Sequence, residues 1–217
     1  MTRPMAHPAP ARLLAAAALC LALLGGLVAA LGAGLVMPAD EAVNAALAPY
    51  RASWALAAFA WITTLGTGAA LAGVALTATA FLWSGGRAGL AAPLWVAFLG
   101  AEATTWTVKL LVARPRPAFL PGGVATAHSP SFPSAHATVA TAVIGFVAYA
   151  VARGLPHRRD RAGIGLAATC LVALIVFSRL YLSVHYLTDV LGGCLAGGAW
   201  LLIGLALAGA RAPGGTG

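Results

Sequence analysis

Charged residues are scarce in this sequence, at 8% of 217 positions, and only five of them are acidic. A soluble globular chain carries roughly a quarter charged residues, so a water-facing surface cannot be dressed from this composition. The acids form no cluster along the chain, which leaves no carboxylate set for a catalytic metal. Cysteine is nearly absent too. Cys20, Cys170 and Cys194 each fall inside an apolar run and give neither a disulfide framework nor a zinc-ligand spacing. The formal charge of +8 could point to nucleic acid. However, the basic residues form no stripe interleaved with aromatics and sit in short gaps between apolar runs, so nucleic acid is excluded as a partner.

What is abundant is apolar length: 61% of the chain is hydrophobic. Spanning the hydrocarbon of a bilayer takes about 20 apolar residues in a helix, and such runs lie near 13–36, 66–84, 90–112, 134–153, 163–182 and 188–210. The first exceeds the apolar core of a signal peptide and reads as a retained anchor. Residues 42–64 carry Pro49, Arg51, Trp54 and Trp61, and tryptophan favours the membrane–water interface. An interfacial helix is expected there. The fold class is therefore all-α, a bundle of six transmembrane helices forming one domain over 1–217 with its core at 13–210. With six spans, Arg3, Arg12, Arg87, Arg153, Arg158, Arg159, Arg161 and Arg211 fall on one side, which the positive-inside rule makes cytoplasmic.

Nearly all the ionisable residues of the other side gather in three clusters: K-L-L-V-A-R-P-R-P over 109–117, P-S-A-H over 133–136, and S-R-L-Y-L-S-V-H-Y-L-T-D over 178–189. Lys109, Arg114 and Arg116 at one helix end suit an anion, since arginine forks match phosphate oxygens; snorkelling to the interface is the alternative. Ser134 and His136 stand where a helix begins, a place that attracts anions, though serine also serves there as an N-cap. His185 and Asp189 are four apart and share a helical face. A carboxylate on one imidazole nitrogen fixes the tautomer and leaves the other free to act as nucleophile or base; a purely structural pair is the rival. Arg179 adds a further phosphate-type donor. Jointly, the cations, two histidines, one orienting carboxylate and a helix N-terminus fit phosphoryl transfer through a histidine.

These motifs resemble the signature of the type 2 phosphatidic acid phosphatase (PAP2) superfamily, K-x6-R-P, P-S-G-H and S-R-x5-H-x3-D. Lys109, Arg116 and Pro117 match the first part, Pro133, Ser134 and His136 the second, and Ser178, Arg179, His185 and Asp189 the third. The resemblance implies a metal-independent, cofactor-free lipid phosphatase. His185 would attack phosphorus with Asp189 orienting it, and His136 would protonate the leaving group. Lys109, Arg116, Ser134, Ala135 and Arg179 would hold the phosphoryl oxygens. Ala135 replaces the usual glycine, and a helical backbone is expected there. Candidate substrates are phosphatidic acid, phosphatidylglycerol phosphate and a polyprenyl diphosphate, met at the extracytoplasmic face of a bacterial cytoplasmic membrane. The rate should show two pH limbs, with His185 neutral and His136 protonated.

Two rivals are vanadate-dependent haloperoxidases, which are soluble, and a catalytically silent lipid-binding or transport protein; the latter would be expected to have lost His185, His136 or Arg179. Other residues have no place in the signature. Arg114 would contact a second phosphate or sit at headgroup level. Glu102 would line the substrate cavity or pack between helices, and His128 would gate access or be an ordinary loop residue. Gly193 and Gly197 form G-x-x-x-G, which implies close helix packing and would permit a homodimer.

Overall fold

The computed structural model describes residues 9–117 and 129–210. Among them are eight α-helices: α1 (Pro10–Gly32), α2 (Met37–Leu47), α3 (Ser53–Thr64), α4 (Gly68–Ser84), α5 (Ala91–Val112), α6 (Ala135–Ala152), α7 (Arg158–Tyr181) and α8 (Leu187–Ala210). The expectations placed on Arg3, His128 and Arg211 lie outside the described residues.

Helices α1, α6, α7 and α8 are long and apolar enough to cross a membrane, and α3 with α4, bent by 44° at a short break, make a fifth such unit. α5 matches them in length at 22 residues while carrying Glu102 and Lys109. Large apolar side chains point outward along the bundle, including Leu19, Leu76, Phe81, Leu110 and Leu166. That is the wall a lipid solvent permits. The region expected to form one interfacial helix near 42–64 is instead interrupted. α2 ends at Leu47, a single 3-10 turn follows, and α3 starts at Ser53. Pro49 lacks the N–H a continuing helix would need. α3 then lies on the end of α7, with Phe59 stacked between Phe177 and Tyr181 at ring separations of 5.5 and 4.4 Å. Trp54 and Trp61 are exposed, as interfacial anchors are.

Local chemistry sets the helix ends. Gly34, at a φ of 73°, lets Leu35 donate back to the carbonyl of Ala30 at 3.0 Å, a closure of the Schellman type. The Thr67 side chain caps α4 by accepting from the N–H of Ala70 at 3.2 Å. α5 stops at a left-handed Ala113, just before the two prolines that forbid continuation.

The core lies between α4, α5, α6 and α8, where Leu71, Leu94, Val139, Val143 and Phe146 are essentially inaccessible. α6 and α8 approach most closely at the G-x-x-x-G. A Cβ on Gly193 would lie 2.7 Å from the Ser134 carbonyl oxygen, and one on Gly197 would lie 2.2 Å from that of Thr138. The motif is thus used within one chain, and the inference from it to a homodimer falls. At the far end of the bundle, Arg87 donates to the carbonyl of Ala150 and ties the turn after α4 to the end of α6. The opposite end, where α5 and α7 finish and α6 and α8 begin, holds the motif residues.

Candidate active site

Asp189 occupies the first turn of α8 and is fully buried. Its Oδ2 accepts the N–H of Tyr186 at 2.8 Å, half of a capping box. The same oxygen accepts from the Ser131 hydroxyl and faces His185 Nδ1 at 3.3 Å. Its Oδ1 accepts from Arg114 Nη1 at 2.6 Å. This network assigns the tautomer of His185: Nδ1 carries the proton and points at the carboxylate, leaving Nε2 unprotonated. Burial pushes the His185 pKa down to about 3, outweighing the opposing pull of Asp189.

The short connection from Tyr181 to Leu187 that carries His185 is held from behind. Ser183 adopts a φ of 51°, and Arg51 donates to the carbonyls of Tyr181 at 2.8 Å and Leu180 at 3.3 Å. Those are end groups of α7 that the helix itself cannot satisfy.

On the open side of His185, Nε2 lies 3.2 Å from Arg116 Nη1. Arg116 is braced by the carbonyl of Val184 at 2.8 Å and by Ser129 at 2.9 and 3.1 Å. Lys109, buried in the last turn of α5, donates to the Pro130 carbonyl. Arg179, on α7, donates from Nη1 to the Thr63 hydroxyl at 2.5 Å. The charges of Arg179, Arg116 and Lys109 all act on His136, which sits in the first turn of α6 against Gly66. The structure therefore brings His185, His136, Asp189, Lys109, Arg116, Ser134 and Arg179 to one end of the bundle. Ala135 is there too, as the first residue of α6, with a helical backbone.

Among the described residues, two buried polar atoms have no partner, Ser134 Oγ and Arg179 Nε. Ser134 stands at the N-cap position of α6, yet its hydroxyl makes no cap bond. The capping alternative for this serine is thereby removed. A buried unsatisfied polar group costs roughly 1–3 kcal/mol, and one of the two stands at the N-terminus of α6.

Several contributors were not legible beforehand. Arg114 is not at headgroup level; it is 7% exposed and bridges Asp189 to Asp40, with Nη2 2.6 Å from the latter. Asp40, Thr188 and Ser131 complete that buried network. The one available signal was that Asp40 and Arg114 are opposite charges in a chain that has few of either. Glu102 takes the packing alternative, with its carboxyl against the first turn of α4, where a Cβ on Gly68 would lie 2.8 Å from Oε1.

The chain is similar to known proteins of one family. The PAP2 superfamily model matches residues 90–212. Phosphatidylglycerophosphatase B of Bacillus subtilis (strain 168) is 33% identical over 171 residues, covering 77% of this chain and 82% of that protein. The crystal structure of the first transmembrane PAP2-type phosphatidylglycerolphosphate phosphatase from Bacillus subtilis superposes with a TM-score of 0.84 at 26% identity, covering 91% of this chain and 98% of that one. Aquifex aeolicus LpxE shares the fold, with a TM-score of 0.61 at 23% identity over 76% of this chain and 94% of its own.

Proposed function

This chain belongs to the PAP2 superfamily and is a membrane phosphatase, and from that premise we propose that it hydrolyses phosphatidylglycerol phosphate through a phosphohistidine on His185. The choice among lipid phosphates rests on the Bacillus subtilis phosphatase, whose sequence and solved structure are named for that substrate. The observation that carries the mechanism is the pair of buried, unpartnered donors, Ser134 Oγ and Arg179 Nε. Among the described residues neither has an acceptor, and a phosphoryl group would supply one for each.

In the first step, His185 Nε2 attacks phosphorus and the P–O bond to the lipid breaks. The proton on His136 passes to the leaving oxygen. Arg116 Nη1, 3.2 Å from Nε2, turns to a phosphoryl oxygen beside Lys109, Ser134, Arg179 and the N–H groups that open α6 at Ala135. In the second step, His136 takes a proton from water, the water oxygen bonds to phosphorus, and the N–P bond breaks. Inorganic phosphate and neutral His185 are left.

In this reading α1, the α3–α4 pair, α5, α6, α7 and α8 are the six spans. The site end faces the extracytoplasmic side of a bacterial cytoplasmic membrane, because Arg12, Arg87, Arg153, Arg158, Arg159 and Arg161 gather at the other end. The test is phosphate release from a panel of lipid phosphates and diphosphates in proteoliposomes with chelator present. Wild type should release phosphate fastest from phosphatidylglycerol phosphate, and His185→Ala should lower the rate by at least about a thousandfold. Release that survives the substitution would reject His185 as nucleophile. No release from any lipid by folded wild type would favour a binding or transport role.

A further inference from the structure

α2 lies outside every signature motif, yet two of its side chains, one turn apart, hold both ends of the segment carrying His185. Asn44 Oδ1 accepts from the Ser183 hydroxyl at 3.0 Å and from Arg51 Nη2 at 2.6 Å, on the α7 side. Asp40, 1% exposed, holds the α8 side. Its Oδ1 accepts the Thr188 N–H at 2.9 Å, and its Oδ2 accepts the Thr188 hydroxyl and Arg114 Nη2, each at 2.6 Å.

Arg114 is thereby fixed on three sides. Nη1 bonds Asp189, Nη2 bonds Asp40, and the guanidinium carbon lies 4.1 Å over the Tyr186 ring. Paired with one carboxylate alone, the guanidinium could pivot about that contact. The second carboxylate and the ring leave a single orientation, and with it a single orientation for Asp189.

We propose that Asp40 is a positioning residue for the phosphatase reaction, acting through Arg114 to fix the Asp189 carboxylate and so the aim of His185. The role is electrostatic as well as geometric. One guanidinium between two buried carboxylates leaves a net negative charge behind His185. When Nε2 bonds phosphorus, the imidazole ring becomes cationic, and that charge is stabilised only as the bond forms. Interactions gained in the transition state raise kcat without tightening substrate binding. The proposal rests on His185 being the nucleophile.

Asp40→Asn keeps the shape and an acceptor for the Thr188 N–H but removes the charge. It is expected to lower kcat about 10- to 100-fold, the usual cost of losing a residue that orients a catalytic ligand, with KM changed less than about twofold. Arg114→Lys keeps the buried cation but loses the fork that spans both carboxylates, and it should show the same split. A merely structural cap on α8 would instead lower the melting temperature in detergent and leave kcat intact. Wild-type kcat in either folded variant overturns the proposal. Failure of both variants to yield monodisperse protein also overturns it, assigning the cluster to folding. Failure of the underlying reading is separate: wild type would then release no phosphate, or His185→Ala would match it, whatever Asp40→Asn does.

Discussion

Ser134 and Arg179 show how function is written in single side chains. Each keeps a buried polar atom without a partner among the described residues, a cost that a phosphoryl oxygen accepting from it would offset. Ser134→Ala removes that unsatisfied atom. It is expected to leave the melting temperature unchanged or slightly raised while lowering kcat/KM roughly 10- to 100-fold; parallel thermal unfolding and phosphate release check it. A loss of stability without a loss of rate would return the serine to a structural role. His185 changes the pH expectation that the sequence suggests. With its pKa pushed down to about 3 by burial, the imidazole is neutral from about pH 5 to 9, so no acid limb in that range belongs to it. On the proposed mechanism the limb that remains is alkaline: the negative charge of a bound phosphoryl group holds a proton on His136, and the rate falls as that proton is lost. An acid limb in wild type with an apparent pKa near the ordinary histidine value of about 6.5, shifted by substitution of Asp189, would contradict this. The signature residues were legible because the chemistry demands their types and their spacing within one motif. Arg114 was misread because its partner, Asp40, lies 74 residues earlier, and no spacing rule links the two.

Among the helices, the close packing of α6 on α8 is what joins two motifs into one site. Ser134 donates its N–H to the carbonyl of Asp189 at 3.0 Å, and the glycines of α8 allow that approach. Gly197→Ala puts a Cβ 2.2 Å from the Thr138 carbonyl oxygen and 2.8 Å from Thr141 Cβ, so the helices must part. The expected cost is about 1–3 kcal/mol, with a fall in activity, since Ser134, His136 and Asp189 ride on these two helices. Gly163→Ala, on α7 with nothing within 4 Å of the added Cβ, is expected to be neutral or slightly stabilising. Thermal unfolding of the two variants in the same detergent checks both, and equal destabilisation would refute the packing account. Helix existence was readable from apolar runs, and five of the six expected spans correspond to α4, α5, α6, α7 and α8 within a few residues, with α1 the sixth. The break between α2 and α3 was not. Pro49 marks a turn, but only the docking of α3 on α7 and the Arg51 bonds to α7 decide where the chain goes next.

For the molecule as a whole, the membrane accounts for a surface that water would reject. Trp54 and Trp61 stay more than three-quarters exposed near the site end, and Arg158 and Arg159 mark the other. Single cysteines in a cysteine-free background test the orientation proposed above. Tyr50→Cys is expected to react with an impermeant thiol reagent added outside intact cells, whereas Leu155→Cys should react only after permeabilisation. Labelling of both from the same side would sink the six-span topology.

The sequence by itself determined the solvent, because so few charges cannot surround a core in water. It also determined the reaction class, because three short motifs carry residue types that act on phosphate. Tertiary structure alone decided how those motifs are aimed. Asp40 reaches Arg114, Arg114 reaches Asp189, and Asn44 and Arg51 hold the loop before it. Such contacts join positions far apart in the chain and depend on where helices stop and cross, which local composition does not encode.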